Sequence, residues 1–169
     1  MWLQVLLEYG KSTVSRRLAE KKKKSVLLEG DEIYHHVIGS YISPWKEGNH
    51  LDVFWEVVLE TINIYLGNGY DVIFNYIVGE KDLVILQERF CEYKIKFIVL
   101  MANENTIIKR DLERQEDCIM GKRAIELLQN FRNKEIERKY IIETDNLNID
   151  EIIDIIDNDN KFYIGEKYE

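Results

Sequence analysis

The chain has 169 residues, of which 46% are hydrophobic and 32% are charged, and its formal net charge at pH 7 is −8. This balance is typical of a single globular domain and excludes a disordered chain. An acidic chain lacks the basic surface that general nucleic-acid binding requires, and no apolar run reaches the roughly 18 residues that cross a membrane.

Cysteine usage and the first residues favour the cytoplasm. Cys91 and Cys118 show neither C-x-x-C spacing nor a disulfide framework, which fits a reducing compartment. The chain does not open on a basic region followed by an apolar stretch and a cleavage site, so no signal peptide is predicted. No linker and no internal repeat divides the sequence, and we expect one domain over 1–169, as a monomer or homodimer.

Apolar runs and amphipathic segments alternate along the chain. The apolar runs predict five strands, at about 2–7, 25–30, 70–78, 94–102 and 138–145. Helical spacing predicts helices at about 11–22, 31–38, 51–66, 81–90, 104–114, 121–138 and 149–157. Nearly all of the strands are continuously apolar, which is typical of a parallel sheet with helices on both faces. In such a sheet, ligands bind at the carboxyl ends of the strands.

The clearest motif is Gly10-Lys11-Ser12-Thr13, which follows the first predicted strand and opens the first predicted helix. A helix N-terminus offers free amides and a positive dipole end to phosphate oxygens. The lysine adds charge near the β- and γ-phosphates, and the first hydroxyl reaches magnesium. The motif therefore predicts a nucleotide-phosphate site. In the alternative, Gly10 only breaks the strand and Ser12 or Thr13 only caps the helix.

Acidic residues follow the second predicted strand, in the sequence Glu29-Gly30-Asp31. A carboxylate at this place can accept a proton from an attacking hydroxyl or hold magnesium through water, and we assign that role to Asp31. The alternative is that Asp31 is the N-cap of a helix that begins at Glu32. Asn75 ends the third strand, where it can orient a water but supplies no charge, and it is a weak site candidate.

Two arginines of a later helix can act on one ligand. Arg110 and Arg114 are spaced i, i+4 on one helical face, so both can point at the same phosphates. The alternative is an exposed helix in which Asp111 and Glu113 form ion pairs with them.

Four segments together resemble the P-loop small-molecule and nucleoside kinases, a group that includes shikimate kinase, gluconate kinase, adenylylsulfate kinase and chloramphenicol phosphotransferase. They are YGKSTVSRRLAE, LLEGDEIYHHV, IIKRDLERQE and YIIETDNLNIDEIIDII, and the resemblance that they carry extends over nearly the whole chain in the right order. The resemblance implies a three-layer α/β/α fold with a five-stranded parallel sheet of order 2-3-1-4-5. It also implies a substrate-side region at about 32–66 and an arginine-bearing lid at about 110–123.

The same resemblance implies an ATP-dependent phosphotransferase. With Mg²⁺, such an enzyme moves the γ-phosphoryl group of ATP to a hydroxyl of a small-molecule acceptor. The catalytic residues that it implies are Lys11, Asp31, Arg110 and Arg114. The implied nucleotide contacts are Gly10, Lys11, Ser12, Thr13, Arg110, Arg114, Asp145 and Asn146. The implied magnesium contacts are Ser12 and Asp31.

Two assignments within the resemblance have structural alternatives of equal weight. The turn at Asp145 and Asn146 resembles the one that borders the adenine, but either residue can simply shape an ordinary loop. Tyr41 and Trp45 lie where relatives build the acceptor pocket, and they either stack on a planar acceptor or pack within their own loop.

The first loop departs from the family pattern. The full motif G-x-x-x-x-G-K-[ST] needs a glycine at the position of Val5, and Leu6-Leu7-Glu8-Tyr9 stands where relatives are rich in glycine. We expect the strand to continue through Leu7 and the loop to be shortened, which brings Glu8 near the phosphates and weakens nucleotide binding. A degenerate, non-catalytic P-loop protein with weak or no nucleotide binding is therefore the alternative function.

Overall fold

Strands and helices alternate along the chain, which confirms the α/β class predicted from the apolar runs. The computed structural model describes residues 2–7, 11–44, 46–112, 121, 125–126, 129 and 136–165. For 2–7, 11, 80 and 110 it describes the backbone alone.

Six strands and six helices are described. The strands are β1 (Trp2–Leu7), β2 (Ser25–Glu29), β3 (Asp71–Asn75), β4 (Lys94–Met101), β5 (Ile141–Glu143) and β6 (Tyr163–Ile164). The helices are α1 (Lys11–Lys21), α2 (Gly30–Tyr34), α3 (His50–Gly67), α4 (Glu80–Arg89), α5 (Glu104–Leu112) and α6 (Ile149–Asn158). Within the described ranges, no helix has both the length and the apolar character that crossing a membrane requires.

The strands form one sheet in the order β2-β3-β1-β4-β5, and these five strands run parallel. The order is the one that the resemblance implies. A sixth strand, β6, pairs antiparallel with β4, so the expectation of a wholly parallel, five-stranded sheet is incomplete. Only Tyr163 and Ile164 form β6, and a run of two residues leaves no alternating pattern in the sequence.

Two predicted helices have boundaries that differ from the structure. The second helix was expected to begin at Asp31 or Glu32, and α2 instead begins at Gly30, directly after β2, and ends at Tyr34. The helix predicted at about 121–138 lies largely outside the described residues, although residues 125, 126 and 129 are helical, as predicted. Its end is too late, because the described residues 136–137 are not helical and Arg138–Tyr140 form a 3₁₀ helix before β5.

Buried apolar side chains cover both faces of the sheet and give three layers. Every fourth residue on one face of α3 is buried, and these side chains pack on the sheet face of Val72 and Phe74. On the other face, α1 and α6 pack against Ile73 and Ile98. Neighbouring residues of β3 therefore belong to opposite layers, as the two-residue period of a strand requires.

A buried lysine joins the sheet to α6. Lys96 of β4 is only 2% exposed, and its Nζ donates hydrogen bonds to the carbonyl oxygens of Ile156, at 2.5 Å, and Asp157, at 3.1 Å. The ammonium also lies 4.9 Å from the ring centroid of Tyr163 on β6. Because the carbonyls at a helix C-terminus carry partial negative charge, they compensate the buried cation.

The first turn of α6 shows why this helix begins where it does. The side chain of Asn148 accepts a hydrogen bond from the Glu151 amide at 3.0 Å, and the Glu151 carboxylate accepts one from the Asn148 amide at 2.7 Å. This reciprocal pair is a capping box, and each such cap stabilises a helix by about 1 kcal/mol. Isoleucines at helical spacing then bury the inner face of the helix, at Ile152, Ile153 and Ile156.

Candidate functional site

The junction between β1 and α1 is short. β1 ends at Leu7 and α1 begins at Lys11, which confirms both boundaries predicted from the sequence. Residues 8–10 connect them, and these residues, including Gly10 of the predicted phosphate loop, lie outside the described residues. Three residues thus join the carboxyl end of a central strand to the N-terminus of a helix, whose first amides have no partner within the helix.

The predicted phosphate-binding residues stand in the first turn of α1. Ser12 and Thr13 are exposed, and the Ser12 carbonyl accepts a hydrogen bond from the Ser15 hydroxyl at 3.2 Å. Lys11 is the first residue of the helix, and its side chain lies outside the described part of the chain. The positions of Ser12 and Thr13 leave both hydroxyls accessible to a ligand that approaches the helix N-terminus.

Asn75 joins Ser12 to the end of the second strand. The register of the sheet places Asn75 between Leu6 of β1 and Glu29 of β2. Its Nδ2 group donates a hydrogen bond to Glu29 Oε2 and a longer one, of 3.4 Å, to Ser12 Oγ. A hydroxyl, an amide and a carboxylate therefore meet beside the N-terminus of α1. From the sequence, Asn75 was only a weak site candidate.

The two acids at the end of β2 belong to different elements. Leu27 packs against the cluster that includes α1, and Glu29, two residues later, shares that face. Asp31 belongs instead to the first turn of α2 and is exposed. The N-cap position of α2 is occupied by Glu29, so the alternative that Asp31 is the N-cap residue is wrong.

Tyr76 fixes the position of α2. A Cβ atom on Gly30 would overlap the ring of Tyr76, so glycine is needed for the backbone to approach this ring. Burial raises the pKa of the Tyr76 hydroxyl, and the nearby negative charge of Asp31 raises it further. The tyrosine therefore stays neutral at physiological pH and can only take part as a hydrogen-bonding group. Sequence reasoning missed Tyr76, although its place one residue after a buried strand was a usable signal.

Aromatic side chains fill the predicted acceptor side. The Tyr34 hydroxyl donates to the Ile42 carbonyl at 2.5 Å, and its ring meets the edges of Tyr41, at 5.7 Å, and Phe54, at 5.5 Å. Tyr41 is 42% exposed and stacks on His35 at 5.8 Å between ring centroids. Tyr41 thus packs within its own region while part of its ring stays accessible. Trp45 lies outside the described residues.

The predicted lid is described only at its ends. Arg110 belongs to α5, and its side chain, like the whole of Arg114, lies outside the described residues. Asp111 is 3% exposed and accepts a hydrogen bond from the Gly121 amide at 2.7 Å. Asp111 therefore joins the end of α5 to Gly121, nine residues beyond Leu112. The ion-paired alternative assumed that Asp111 is exposed, whereas its side chain is buried.

The turn after β5 has a structural role at its first acidic residue. Both carboxylate oxygens of Asp145 accept from the Asn103 amide, at 3.0 and 3.1 Å, and Thr144 donates to the Met101 carbonyl at 3.0 Å. These bonds join the turn to the start of α5. They agree with the alternative in which Asp145 shapes a loop, while Asn146 is exposed at the same turn.

The oxygen atoms at the head of α1 suit magnesium. Mg²⁺ prefers oxygen ligands and is commonly held by one or two carboxylates together with substrate phosphates. Ser12 and Glu29 offer such oxygens, and Asn75 Oδ1 is buried without a hydrogen-bond partner among the described residues. No group of three or more His, Cys, Asp or Glu side chains that could hold a metal occurs in the described part of the chain.

Comparisons with solved structures identify the fold. The tunicamycin resistance protein of Deinococcus radiodurans superposes with a TM-score of 0.63 at 13% identity, over 92% of this chain and 92% of that one. A gluconokinase of Sinorhizobium meliloti 1021 superposes with a TM-score of 0.63 at 15% identity, over 90% and 86%. The chain has the fold of the P-loop kinases. The resemblance seen in the sequence is thereby confirmed at the level of the fold.

The P-loop kinase fold is shared with a third structure of a different kind. A chain of the Pnkp1/Rnl/Hen1 RNA repair complex superposes with a TM-score of 0.62 at 24% identity, over 80% of this chain and 46% of that one. No family model matches the chain, and no curated protein matches it. At these identities the likeness to solved structures establishes the fold.

Proposed function

We propose that this protein transfers the γ-phosphoryl group of ATP to a hydroxyl group of a small-molecule acceptor. One observation carries the proposal: Ser12, Asn75 and Glu29 meet at the head of α1, at the carboxyl ends of adjacent parallel strands. In open α/β sheets, this edge is where ligands bind. The P-loop kinase fold supports the same reading.

The nucleotide phosphates would bind at the N-terminus of α1. The free amides and the positive end of the helix dipole attract them, and Ser12 and Thr13 add hydroxyl groups. Lys11, as the first residue of the helix, would supply a positive charge to the β- and γ-phosphates. In this proposal Asp145 and Asn146 border the adenine, and Asp145 does so while it holds the turn in place.

Magnesium would be held on the Ser12 side of the phosphates, with a carboxylate of the Glu29–Asp31 segment acting directly or through water. When bound, the ion supplies charge neutralisation on the phosphate oxygens. The oxygen-rich head of α1 fits this group, because Ser12, Glu29 and Asn75 are all oxygen donors of the kind that Mg²⁺ prefers.

The chemical step needs a base on the acceptor side. The acceptor oxygen attacks the γ-phosphorus, the bond from that phosphorus to the β,γ-bridging oxygen breaks, and ADP leaves with the electron pair. The proton of the acceptor hydroxyl passes to the Asp31 carboxylate, which is exposed and therefore accessible. Arg110 and Arg114 would stabilise the charge on the transferring group as part of a lid at about 110–123.

The acceptor would bind over the region 32–66. Tyr41, His35 and Tyr34 form an aromatic wall there, and part of the Tyr41 ring is accessible. Aromatic faces bind the apolar faces of sugar rings and of planar molecules, so the wall is compatible with either class.

The decisive experiment is a screen for ADP release in Mg-ATP. The panel should contain gluconate and other sugar acids, neutral sugars and nucleosides. A short RNA forms a separate arm, because one structural neighbour belongs to an RNA repair complex, and stimulation by the RNA alone would contradict a small-molecule acceptor. We expect one class of acceptor to raise ADP release well above the rate with water. Equal rates for every acceptor and for water would contradict the proposal.

The second candidate is a degenerate P-loop protein that does not catalyse transfer. The observation that favours it is the three-residue connection between β1 and α1, which leaves few amides to wrap the phosphates. The two candidates differ in nucleotide binding. Mg-ATP should raise the melting temperature of the wild type, and Lys11→Ala should abolish that shift, if phosphates bind at α1. An unchanged melting temperature in the wild type would favour the degenerate protein.

A further inference from the structure

Asn75 is almost completely buried at the centre of the carboxyl edge of the sheet. It is 1% exposed, and its neighbours in the register are Leu6, on the strand that leads to α1, and Glu29, on the strand that leads to α2. Ile73, two residues earlier on β3, packs in the cluster that includes α1. Asn75 therefore shares the sheet face that α1 covers.

The chemistry of Glu29 fixes which way the Asn75 amide is turned. A carboxylate accepts hydrogen bonds but donates none, so the amino group of the amide, and not its carbonyl, must face Glu29. The same amino group lies 3.4 Å from Ser12 Oγ. The carbonyl oxygen Oδ1 consequently faces away from Glu29, and it has no hydrogen-bond partner among the described residues. A buried polar atom of this kind is uncommon in native proteins and points to a ligand.

We infer that Asn75 is the positioning residue of the phosphate site. It holds the Glu29 carboxylate against the Ser12 hydroxyl, so that the two act as one unit toward the metal–phosphate group of Mg-ATP, with Oδ1 available to the same ligand. The inference rests on the proposed function, in which Mg-ATP binds at the head of α1. Asn75 acts through Ser12 and Glu29, and no step of phosphoryl transfer passes through it.

The neutral amide has a specific advantage at this position. An aspartate here would place a second carboxylate directly beside Glu29, and two adjacent carboxylates repel each other unless a cation or a proton lies between them. With asparagine, Glu29 is the only charged member of the pair, and the donor that orients its carboxylate is present before the ligand arrives. Preorganisation of this kind lowers the entropy cost of binding.

The first test compares Asn75→Ala with the wild type by calorimetry, using Mg-ATP and, separately, ATP in EDTA. We expect the affinity for Mg-ATP to fall by at least about tenfold and that for metal-free ATP to change by less than about threefold. A purely structural role would change both affinities by the same factor. Ser25→Ala is the matched control, because it removes the hydrogen bond from Ser25 to the Ala19 carbonyl at the opposite end of β2.

A second variant tests the placement without ATP and keeps the size of the side chain. Asn75→Asp should bring two carboxylates together beside Ser12, so MgCl₂ alone should raise the melting temperature of this variant by about 3 °C more than that of the wild type. Adding Glu29→Gln to Asn75→Asp should remove that gain. If MgCl₂ stabilises Asn75→Asp no more than the wild type, the inference is wrong, whether or not ATP binds.

The outcomes separate this inference from the proposed function. In one outcome the wild type binds no ATP, but Mg²⁺ still raises the melting temperature of Asn75→Asp in a way that depends on Glu29. The proposed function then fails, while the placement of the residue 75 and Glu29 side chains beside each other stands. If the wild type binds Mg-ATP and Asn75→Ala binds it equally well, the proposed function stands and the positioning role of Asn75 is overturned.

Discussion

The two ends of the sheet hold their buried polar groups in different ways. Lys96 lies toward the amino end of β4, where its ammonium donates to two carbonyl oxygens of α6 and faces the ring of Tyr163. Asn75 lies at the carboxyl end of β3, where its amino group is bound and its carbonyl oxygen has no partner among the described residues. The first group is bound within the fold, while the second leaves an acceptor that the further inference assigns to a ligand.

This difference separates stability from function within one sheet. A buried cation lowers the stability of the fold unless hydrogen bonds compensate its charge, so Lys96 depends on its contacts with the helix carbonyls. A buried amide with an unused acceptor costs stability and is retained where a ligand makes use of it. Substitutions at the amino end should therefore change unfolding, and substitutions at the carboxyl end should change binding and turnover. Predictions at four places in the molecule test that separation, from the largest expected effect to the smallest.

Lys96→Ala should lower the free energy of unfolding by about 2–4 kcal/mol, because it removes the donor of two buried carbonyl groups and leaves a cavity. Urea unfolding measures this, and Lys94→Ala, an exposed position of the same strand, should cost less than about 1 kcal/mol. The folded variant should bind Mg-ATP like the wild type. A loss of nucleotide binding in folded Lys96→Ala would break the separation.

The same lysine predicts a pH dependence. Burial lowers the pKa of the Lys96 ammonium, so the unfolded chain holds this proton more tightly than the folded one. Its contribution to stability therefore rises as the pH increases through the folded pKa toward the unfolded value of about 10.4. Urea unfolding in alkaline buffers should show this rise in the wild type and not in Lys96→Ala. Identical alkaline profiles would show that Lys96 titrates normally.

Asp31→Asn should reduce turnover by about 10²-fold or more, which corresponds to about 2.7 kcal/mol, and should change stability little. Asparagine keeps the size of the side chain but cannot accept the proton of the acceptor. Asp31 is exposed in the first turn of α2, so its removal leaves the core intact. Steady-state rates with the acceptor found in the screen measure the effect. Unchanged turnover together with a lower melting temperature would assign Asp31 a structural role.

Rebuilding the first loop should strengthen nucleotide binding. The wild type has Glu8-Tyr9-Gly10 between β1 and α1, and we expect a dissociation constant for Mg-ATP in the high micromolar to millimolar range. A glycine-rich G-x-x-G-x-G-K-S loop restores backbone amides around the phosphates and should tighten binding by at least about tenfold. Calorimetry on both proteins decides the matter. Tight binding by the wild type would show that the short loop is sufficient.

The smallest effect is expected at an ion pair between α6 and the residue that follows α1. Lys22 Nζ lies 2.7 Å from Asp157 Oδ1, and both side chains are about one quarter exposed. Lys22→Met should lower the free energy of unfolding by about 0.5–1 kcal/mol, as partly exposed ion pairs do. Lys23→Met, at the exposed neighbouring position, is the control. A loss in the control as large as that in Lys22→Met would show that the ion pair contributes nothing specific.

Unfolding measured at acidic pH gives a second test of the ion pair between Lys22 and Asp157. Burial raises the pKa of Asp157, but the hydrogen bonds and charges of Lys22 and Lys21 together outweigh it, so the pKa lies below its ordinary value. A depressed carboxylate pKa contributes stability above the unfolded value of about 3.9, and that contribution is lost as the pH falls through the folded pKa. Lys22→Met should flatten the profile in this acidic window.

The sequence predicted the fold well because the fold rests on long apolar runs. β4 and β3 are almost entirely buried, and α3 buries every fourth residue, so both periods are visible in the sequence. The boundaries of β1 and α1 were also predictable, since the apolar run stops before Gly10. β6 was not predictable, because two residues show no periodic pattern. The burial of Lys96 was not predictable either, because a lysine inside a strand ordinarily indicates an exposed position.

The place of the candidate residues in the fold was predictable, but their contacts were not. The sequence indicated the carboxyl edge, and Ser12 does lie there beside the ends of β2 and β3. It gave Asp31 precedence over Glu29, because the family pattern gives no information about register. Only the pairing of Glu29 with Asn75 shows that these two side chains lie together on the α1 face. Alternate residues of a strand lie on the same face of the sheet, and this rule, applied to β2 and β3 together, would have indicated the contact between Glu29 and Asn75.

The outer side of β4 has a further consequence for how the protein behaves in concentrated solution. Near its carboxyl end β4 pairs with β5 through Val99–Met101, and near its amino end it pairs with β6 through Ile95 and Lys96. Two short strands of opposite direction thus cover an edge whose free backbone groups would otherwise accept a strand from another molecule. β6 contributes only two residues, yet it blocks part of this edge from pairing with a strand of another molecule. A substitution that detaches β6 would expose one of the most apolar strands of the protein and favour self-association.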